Sequence, residues 1–374
     1  MRTMIADPCS PAETRGTRLG RAEGSRSSGI AFRMKAWFPA SSRGIVTNYA
    51  AAVSLILLGY AFYATVPCAT EMTRVYYDGV FPPASWVAFR VVVVAYLLLL
   101  PLYYATFSDA HTVKCRRFWQ GLFALPHRRP TPDEAVAFRA IAVKAIFSPV
   151  MVVCLQSQAR ELTTNAEAFL SFGKFFPYGY FAIYHGLFVV DVMVFAVGYG
   201  VEHPWLRNEI RSVEPTLLGW FAALLCYPPL VWLTSNSLLW FSLELPQFQS
   251  PTFQVAVAVA MLLCIGVYTW ASLALGLRAS NLTNRGIVTT GPYRWLRHPA
   301  YVAKNISWWI GATPLLIGFA RSNPWGLALA IVGTAAWSAI YVLRALTEER
   351  HLGSDPDYQA YRSRVRWRFF PGLV

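Results

Sequence analysis

Apolar stretches of roughly 20 residues recur along the chain and alternate with shorter polar segments. A helix of roughly 20 apolar residues crosses about 30 Å of hydrocarbon, because each residue adds 1.5 Å. The pattern predicts eight transmembrane helices, near residues 45–66, 84–107, 139–157, 176–200, 216–238, 253–276, 304–320 and 324–343. The last two stretches are separated by the turn-like sequence Arg321-Ser322-Asn323-Pro324, which predicts a tight helical hairpin. The predicted fold class is therefore all-α, a polytopic integral membrane protein.

The composition supports this fold class. Of 374 residues, 55% are hydrophobic, 15% are aromatic and only 14% are charged, whereas soluble domains carry about 25% charged residues. The mean hydropathy is +0.38. These values exclude a disordered or fibrous protein and make a soluble enzyme the weaker interpretation. The six cysteines are scattered without a Cys-x-x-Cys spacing, so we expect neither a disulfide framework nor a metal site.

The distribution of basic residues predicts the orientation in the membrane. The chain has 33 Lys and Arg against 19 Asp and Glu, a net charge of +14. With a cytoplasmic N-terminus, 25 of the basic residues fall in segments on the cytoplasmic side and 4 in segments on the opposite side. This bias predicts that both termini are cytoplasmic and that membrane lipids are partners. The membrane that we expect is a bacterial inner (cytoplasmic) membrane. The basic residues form no single stripe, so we expect no nucleic-acid partner.

The sequence divides into three parts. Residues 1–44 are rich in Arg, Ser, Gly and Ala and lack the apolar segment of a cleavable signal, which predicts a flexible basic tail. Residues 45–240 form a five-helix membrane region of unassigned role, and residues 253–374 hold the candidate chemistry. An ionisable group at membrane depth costs about 2.5 to 3.5 kcal/mol, so such groups in the second part should face another helix or a wet cavity. They are Arg90, Lys144, His185 and Asp191. Structural pairing and a substrate or ion pathway both remain open for them.

The densest group of polar residues lies at 285–301, between the sixth span and the hairpin. Pro299 suits the first turn of a helix, where its missing N–H costs nothing. His298 would then lie at the helix N-terminus, where backbone N–H groups favour an anion such as a carboxylate, and Tyr301 would lie on the same side. The alternative is an aromatic belt with basic anchors at the membrane interface. That alternative uses Tyr293, Trp295 and Tyr301 as the belt and Arg294 and Arg297 as the anchors.

A second group of charged residues lies at the end of the last span. Arg344 and Glu348 are four residues apart and share a helix face, in the weaker order for a helix ion pair. Two carboxylates, Glu348 and Glu349, near a helix C-terminus oppose the macrodipole. Helix stability does not explain them, and both a ligand role and a solvated charge run remain open. The following segment, 355–371, reads as a short helix and a basic, apolar tail that lies on the membrane or folds back over a site.

Together these motifs resemble a known family. They are Gly286-Ile-Val-Thr-Thr-Gly291-Pro-Tyr293-Arg-Trp-Leu-Arg297-His298-Pro299-Ala-Tyr301, the hairpin, Glu348-Glu349-Arg-His-Leu, and Tyr358-Gln-Ala-Tyr361. The combination resembles the integral-membrane isoprenylcysteine carboxyl methyltransferases and their bacterial relatives, and more distantly the phosphatidylethanolamine N-methyltransferases. The resemblance covers about residues 255–374, which makes residues 253–374 the predicted catalytic region.

The resemblance implies an S-adenosylmethionine pocket, formed by the last helices and the C-terminal segment at the cytoplasmic face. A lipophilic substrate would enter it from the bilayer. By this resemblance the backbone of Gly286, Ile287 and Val288 lines the cofactor. Tyr293, His298 and Tyr301 would contact its adenosine or methionine portion. Glu348 matches the acid that binds the cofactor, and Arg344 matches the arginine that positions the substrate. The chain departs from the family at Ala303-Lys304 and at Arg278, where relatives often have a glycine and a glutamine respectively, so the resemblance does not fix the pocket shape or the substrate.

The resemblance predicts an enzyme that transfers a methyl group from S-adenosylmethionine to a carboxylate, amine or hydroxyl of a lipophilic substrate. Such a reaction suits a sparse site, because the protein mainly has to align the reacting groups and exclude water. Two other classes remain open. One is an NADPH-dependent membrane reductase that resembles sterol reductases, and the other is a non-enzymatic transporter or assembly factor.

Overall fold

The computed structural model describes residues 41–66, 83–106, 113–228 and 230–372. Most of the predicted basic tail, 1–44, lies outside the described residues. Its last residues, Ser42 onward, already belong to a helix whose first turn is capped by the Ser41 hydroxyl. The division of the chain into a tail, a membrane region and a catalytic region stays a prediction.

The described chain is almost entirely helical. In chain order the helices are α1 (Ser42–Thr65), α2 (Pro83–Ala105), α3 (Lys114–Ala124), α4 (Pro132–Phe172), α5 (Tyr180–Gly200), α6 (Leu217–Leu224), α7 (Leu230–Ser237), α8 (Pro251–Leu275), α9 (Pro299–Ser322), α10 (Pro324–Leu352) and α11 (Pro356–Arg364). A π-helical turn, Phe175–Gly179, precedes α5. Two short strands, β1 (Ser212–Val213) and β2 (Thr283–Asn284), pair antiparallel, with Ser212 opposite Asn284. This pairing joins the middle of the chain to the segment before the hairpin.

Five helices in the described ranges are long and apolar enough to cross a membrane. They are Ser42–Tyr63, Pro132–Phe172, Phe175–Gly200, Pro251–Arg278 and Pro324–Leu352. The prediction of an all-α membrane protein is confirmed, and five of the eight predicted spans are found among the described residues.

Three of the eight predicted spans are not among these five helices. The stretch 216–238 is broken into α6 and α7, because the sequence has Pro228-Pro229 between them and proline removes a helix hydrogen bond. The stretch 304–320 is helical in α9 but too polar to be among the five, since it begins with Lys304-Asn305. The stretch 84–107 is helical in α2, of which Val93–Ala105 is found as a shorter apolar helix.

Helix α4 is longer than the span predicted within it. It continues through 158–172, which lies between the predicted spans 139–157 and 176–200, and ends only at Gly173, whose φ of 65° closes the helix in the left-handed conformation. At its other end Thr131 and Glu134 form a reciprocal capping box. A helix of 41 residues is roughly 60 Å long at 1.5 Å per residue, about twice the hydrocarbon thickness.

Most of the ionisable groups predicted to need a partner have one. The contacts join Lys144 Nζ to Glu202 Oε2 at 3.0 Å, His185 Nδ1 to Gln158 Oε1 at 2.8 Å, and Tyr268 OH to Asp191 Oδ2 at 2.8 Å. Arg90 on α2 is exposed. Glu202, just after α5, is also paired with Lys114 at the start of α3. Internal pairing therefore accounts for Lys144, His185 and Asp191.

The segment between α7 and α8 packs tightly on the helices α9 and α10. The Leu243 N–H donates to the Gly311 carbonyl at 3.0 Å. A Cβ on Gly311 would collide with the Ser242 hydroxyl and the Leu243 carbonyl, and one on Gly333 would collide with the Leu238 carbonyl. These close approaches hold the two helices in place and so position the residues at their ends.

Candidate functional site

The site is built where the start of α9 meets the end of α10. A single residue, Asn323, separates the two helices and caps the second through its side chain. Because the helices run antiparallel, Tyr301 near the start of α9 lies beside Glu348 near the end of α10. The Tyr301 hydroxyl donates to Glu348 Oε2 at 2.9 Å. The two motifs that are far apart in sequence therefore meet.

Glu349 is the centre of a buried ion cluster. Arg297 Nη1 donates to Glu349 Oε2 at 2.7 Å, His298 Nε2 lies 3.1 Å from Oε1, and Arg368 bonds both oxygens at 3.0 and 2.9 Å. The Glu349 side chain is only 5% exposed. We call these four residues the Glu349 cluster. Every carboxylate oxygen is used within the protein, so the cluster holds structure and leaves no acceptor for a ligand.

The C-terminal segment folds back onto the site. Its backbone carbonyls at Trp367 and Arg368 accept from the N–H groups of Arg297 and His298 at 3.0 and 3.1 Å. Tyr361 donates to the Tyr293 carbonyl at 2.9 Å. Of the two arrangements expected for the tail, lying on the membrane or folding back over a site, the structure shows the fold-back. The Glu349 cluster attaches the tail to the hairpin.

Glu348 differs from its neighbour. Its side chain is 46% exposed, and His298 Nδ1 lies 3.9 Å from Oε2. The rings of His298 and Tyr301 stack, with centroids 5.3 Å apart and planes at 10°. Of the two glutamates, Glu348 is the one with acceptor capacity left for a ligand.

Arg344, one turn earlier on α10, lies at a small polar cavity, which we call the Arg344 cavity. Its volume is about 50 Å³. The lining consists of Glu214, Gly219, Ala223, Ser280, Asn281, Leu282, Thr283, Tyr301, Arg344, Thr347, Glu348, His351 and Leu352. Arg344 Nη2 donates to Asn281 Oδ1 at 2.9 Å, and its guanidinium lies 5.2 to 5.7 Å from the ring centres of Tyr227, Tyr301 and Tyr341. The cavity thus brings together three predicted site residues, Arg344, Tyr301 and Glu348, with His298 beside them.

Two lining residues were missed in the sequence. Glu214 follows β1, and Asn281 precedes β2, where Leu282 takes a left-handed φ of 61°. The Asn281 side chain donates to the hydroxyls of Tyr199 and Tyr227, both at 3.0 Å. Neither residue lies in a recognisable motif, and only the strand pairing brings them to the hairpin. An acid next to a helix start at Thr216 was the one local signal, and it is more typical of a cap.

The remaining predicted residues lie away from this cavity. Ile287 and Val288 line a separate recess of about 450 Å³, to which Arg278 also belongs. Gly286 has a φ of 96°, a conformation that favours glycine, and a Cβ there would approach the Arg211 guanidinium at 3.2 Å. Tyr293 packs against the cluster of Tyr358 and Tyr361. Burial, and then the negative charge of Glu348, raises the pKa of Tyr293, which keeps this phenol protonated.

The donors and acceptors of the cavity fit part of S-adenosylmethionine. A carboxylate such as Glu348 suits an ammonium or ribose hydroxyls, and tyrosine rings suit a sulfonium or an adenine. Pockets for molecules of this size measure about 300 to 1,000 Å³, so the Arg344 cavity accommodates one polar end group and not the whole molecule. Among the described residues, no three His, Cys, Asp or Glu side chains are placed to hold a metal ion.

Of three comparisons with known proteins, only the one with protein families gives a match. The comparisons with curated proteins and with solved structures found none. Residues 252–354 match the isoprenylcysteine carboxyl methyltransferase (ICMT) family, a range that contains the hairpin and the motifs at 286–301 and 344–352 but not the Tyr358–Tyr361 motif. The resemblance is confirmed for this part of the chain, which is similar to that family of methyltransferases and lies in a protein with five long apolar helices.

Proposed function

We propose that this protein transfers a methyl group from S-adenosylmethionine to a carboxylate, amine or hydroxyl of a lipophilic substrate, at the cytoplasmic face of a bacterial inner membrane. One observation carries the proposal. Within the region that matches the methyltransferase family, α9 and α10 bring Tyr301, Arg344 and Glu348 to a single cavity. Five long apolar helices in the same protein support a substrate that is lipophilic.

The proposed roles follow from what each side chain has left to offer. Glu348 binds the cofactor, because its carboxylate is half-exposed and accepts a hydrogen bond from Tyr301 on one oxygen, which leaves acceptor capacity for a ligand. His298 and Tyr301 form the stacked surface beside it. Arg344, one turn earlier on the same face of α10, positions the acceptor. Gly286, Ile287, Val288 and Tyr293 stay predictions as cofactor contacts, since they are not part of the lining of the cavity.

The cofactor supplies an electrophilic methyl group on a sulfonium, so the protein contributes alignment and exclusion of water. Buried aromatic rings around Arg344 serve that purpose, because they hold the guanidinium without exposing it to solvent. Both termini are proposed to be cytoplasmic from the excess of basic residues in alternate loops.

Binding measurements test the proposal. S-adenosylmethionine, S-adenosylhomocysteine and NADPH are titrated calorimetrically into the protein in mild detergent. We expect micromolar binding of the first two, weakened at least tenfold, about 1.4 kcal/mol, by Glu348→Ala. Glu167→Gln removes an exposed carboxylate on α4 and serves as the matched control, with affinity unchanged. Binding of NADPH alone would replace the proposal with a reductase, and binding of none by folded protein would contradict it.

A further inference from the structure

Two basic side chains lie at the same level of the hairpin, one turn in from the contact between Tyr301 and Glu348. Lys304 follows Tyr301 by three residues on α9, and Arg344 precedes Glu348 by four residues on α10. Because the two helices run antiparallel, both steps lead toward the hairpin turn at Asn323. Both cations therefore lie deeper in the hairpin than the carboxylate that is proposed to bind the cofactor.

Neither of these cations has a carboxylate partner. Arg344 is buried, donates to the side chain of Asn281 at 2.9 Å and lies over tyrosine rings. Lys304 is half-buried, and its Nζ lies 4.4 Å from the centre of the Tyr268 ring. Among the residues that the structure describes, no carboxylate forms an ion pair with Lys304 or Arg344. A cation that is withdrawn from water without a counter-charge is costly, so the pair calls for an anion.

The carboxylate of Asp191 on α5 supplies only part of the counter-charge. It accepts from the Tyr268 hydroxyl at 2.8 Å, so Tyr268 contacts Asp191 through its hydroxyl and Lys304 through its ring. Asp191 attracts the Lys304 ammonium, and Arg344 repels it. Glu348 is already assigned to the cofactor. Two cations against one remaining carboxylate leave an excess of positive charge at this level of the hairpin.

The next turn of the hairpin is aromatic. Trp308, one turn beyond Lys304, has its ring centre 4.9 Å from that of Tyr341 and 6.1 Å from that of Trp337. Along the hairpin, the carboxylate of Glu348 is thus followed by the two cations and then by apolar rings. This order matches a lipophilic molecule whose anionic end points toward the cofactor.

We infer that Lys304, together with Arg344, binds an anionic group at the polar end of the methyl acceptor. Such a group, a carboxylate or a phosphate, supplies the acceptor oxygens that the N–H donors of Lys304 lack. Lys304 is not part of the lining of the Arg344 cavity, so that cavity stays with the cofactor. The inference rests on the proposed function and deepens it, because it makes Lys304 the residue that selects an acceptor by charge.

Three probes with the same alkyl chain test the inference: decanoate, decyl phosphate and decanol. Their binding to the S-adenosylhomocysteine-loaded protein is measured by calorimetry in a non-ionic detergent at about pH 8, where a carboxyl group of ordinary pKa is ionised. Lys304→Met removes the charge and keeps the length of the side chain. We expect it to weaken the binding of an anion about tenfold and to leave the binding of decanol nearly unchanged.

The comparison of wild type with variant cancels the partition of each probe into micelles. The anion that binds the wild type more tightly separates a carboxylate from a phosphate. An equal loss for the anions and for decanol, or no loss at all, would overturn the inference. The inference would also be overturned if neither anion bound to wild-type protein that binds S-adenosylhomocysteine.

Further variants separate binding of an anion from a purely structural role. Lys304→Arg keeps the charge and should restore part of the anion affinity, whereas Lys174→Met removes an exposed lysine and should leave it unchanged. Lys304→Met leaves Asp191 without its nearby cation, and the double variant Lys304→Met/Asp191→Asn restores the balance of charge. The double variant should fold and still bind the anion more weakly than wild type. Wild-type affinity in the double variant would show that Lys304 serves only to neutralise Asp191, which overturns the inference.

Failure of the inference and failure of the proposed function give different results. Binding of S-adenosylhomocysteine without a charge-dependent loss at Lys304 removes the inference and leaves the proposed function intact. Absence of S-adenosylhomocysteine binding contradicts the proposed function. The probes are then titrated into the cofactor-free protein, where a charge-dependent loss in Lys304→Met would still support an anion site and equal losses would remove it.

Discussion

Two adjacent glutamates on α10 lie in two very different surroundings. Glu349 is enclosed by Arg297, His298 and Arg368, and all of its acceptor capacity is used. Glu348 is half-exposed and faces the Arg344 cavity. Consecutive helix residues point about 100° apart, so one side chain meets the returning tail while the other meets the cavity. The two glutamates therefore differ in what they can do: Glu349 holds the site together, whereas Glu348 keeps acceptor capacity for a ligand.

Replacing Glu349 should break the structural half of this comparison. Glu349→Ala leaves Arg297 buried and unpaired, and losing one partner of a buried ion pair costs about 3 to 5 kcal/mol. Thermal unfolding in mild detergent, followed by tryptophan fluorescence, measures the loss. Limited proteolysis should cleave the tail after residue 364 more readily, because the cluster attaches that segment.

Glu348→Ala is the matched control for this experiment. The change removes a half-exposed carboxylate, whose ion pairs contribute about 0 to 1 kcal/mol. Equal destabilisation by the two variants would show that the assignment of structure to Glu349 and ligand binding to Glu348 is wrong.

The ion cluster around Glu202 extends the comparison to a region outside the family match. Burial raises the pKa of Glu202, but the ammonium groups of Lys144 and Lys114 lower it further, to about 2 against an ordinary value of 4.5. A lowered pKa stabilises the fold above pH 4.5, and this stability is lost as the pH falls toward 2. The contribution is roughly 3 kcal/mol at neutral pH.

The measurement is the unfolding temperature of wild type and Glu202→Gln between pH 6 and pH 2.5. The wild-type advantage should be largest at pH 6 and should shrink steadily below pH 4.5. A gap between the two proteins that does not change with pH would mean that Glu202 is not the titrating group.

The sequence predicts the helices better than it predicts the site. Long apolar stretches and end signals, such as the Thr131 capping box and Gly173, are local, so most helices fall close to their expected places. The stretch 216–238 was misjudged because its hydropathy outweighed the Pro228-Pro229 pair. Spacing indicated that Glu348 shares a face with Arg344, and both do line one cavity.

Long-range contacts explain what the sequence leaves undetermined. Two of the hydrogen bonds that enclose Glu349 come from Arg368, which reaches α10 only after the tail has folded back. Glu214 joins the cavity through the pairing of Ser212 with Asn284, two strands too short to be recognised by alternation. Neither contact leaves a periodic signal, because each joins segments that are distant in sequence.

A smaller loss of stability is expected where the hairpin packs on segment 238–243, which lies outside the family match. Gly311→Ala places a methyl group against Ser242 and the backbone of Leu243, and overpacking costs about 1 to 3 kcal/mol. Gly318→Ala on the same helix is the control, because nothing lies within 4 Å of its added Cβ. Thermal unfolding of the pair measures the difference. Equal unfolding temperatures would show that segment 238–243 does not fix α9.

The smallest effect on stability should accompany a clear effect on binding. Tyr301→Phe removes the hydroxyl that donates to Glu348 at 2.9 Å, and one hydrogen bond contributes about 0.5 to 1.5 kcal/mol, with the low end expected at a half-exposed acceptor. The ring stays in place, since its stacking on His298 does not involve the hydroxyl. Under the proposed function, a freed Glu348 carboxylate loses its orientation, and S-adenosylhomocysteine should bind severalfold more weakly by calorimetry while the unfolding temperature barely changes. Unchanged affinity together with unchanged stability would mean that the hydrogen bond between Tyr301 and Glu348 orients nothing that the ligand meets. The comparison between the two glutamates would then stand on stability alone.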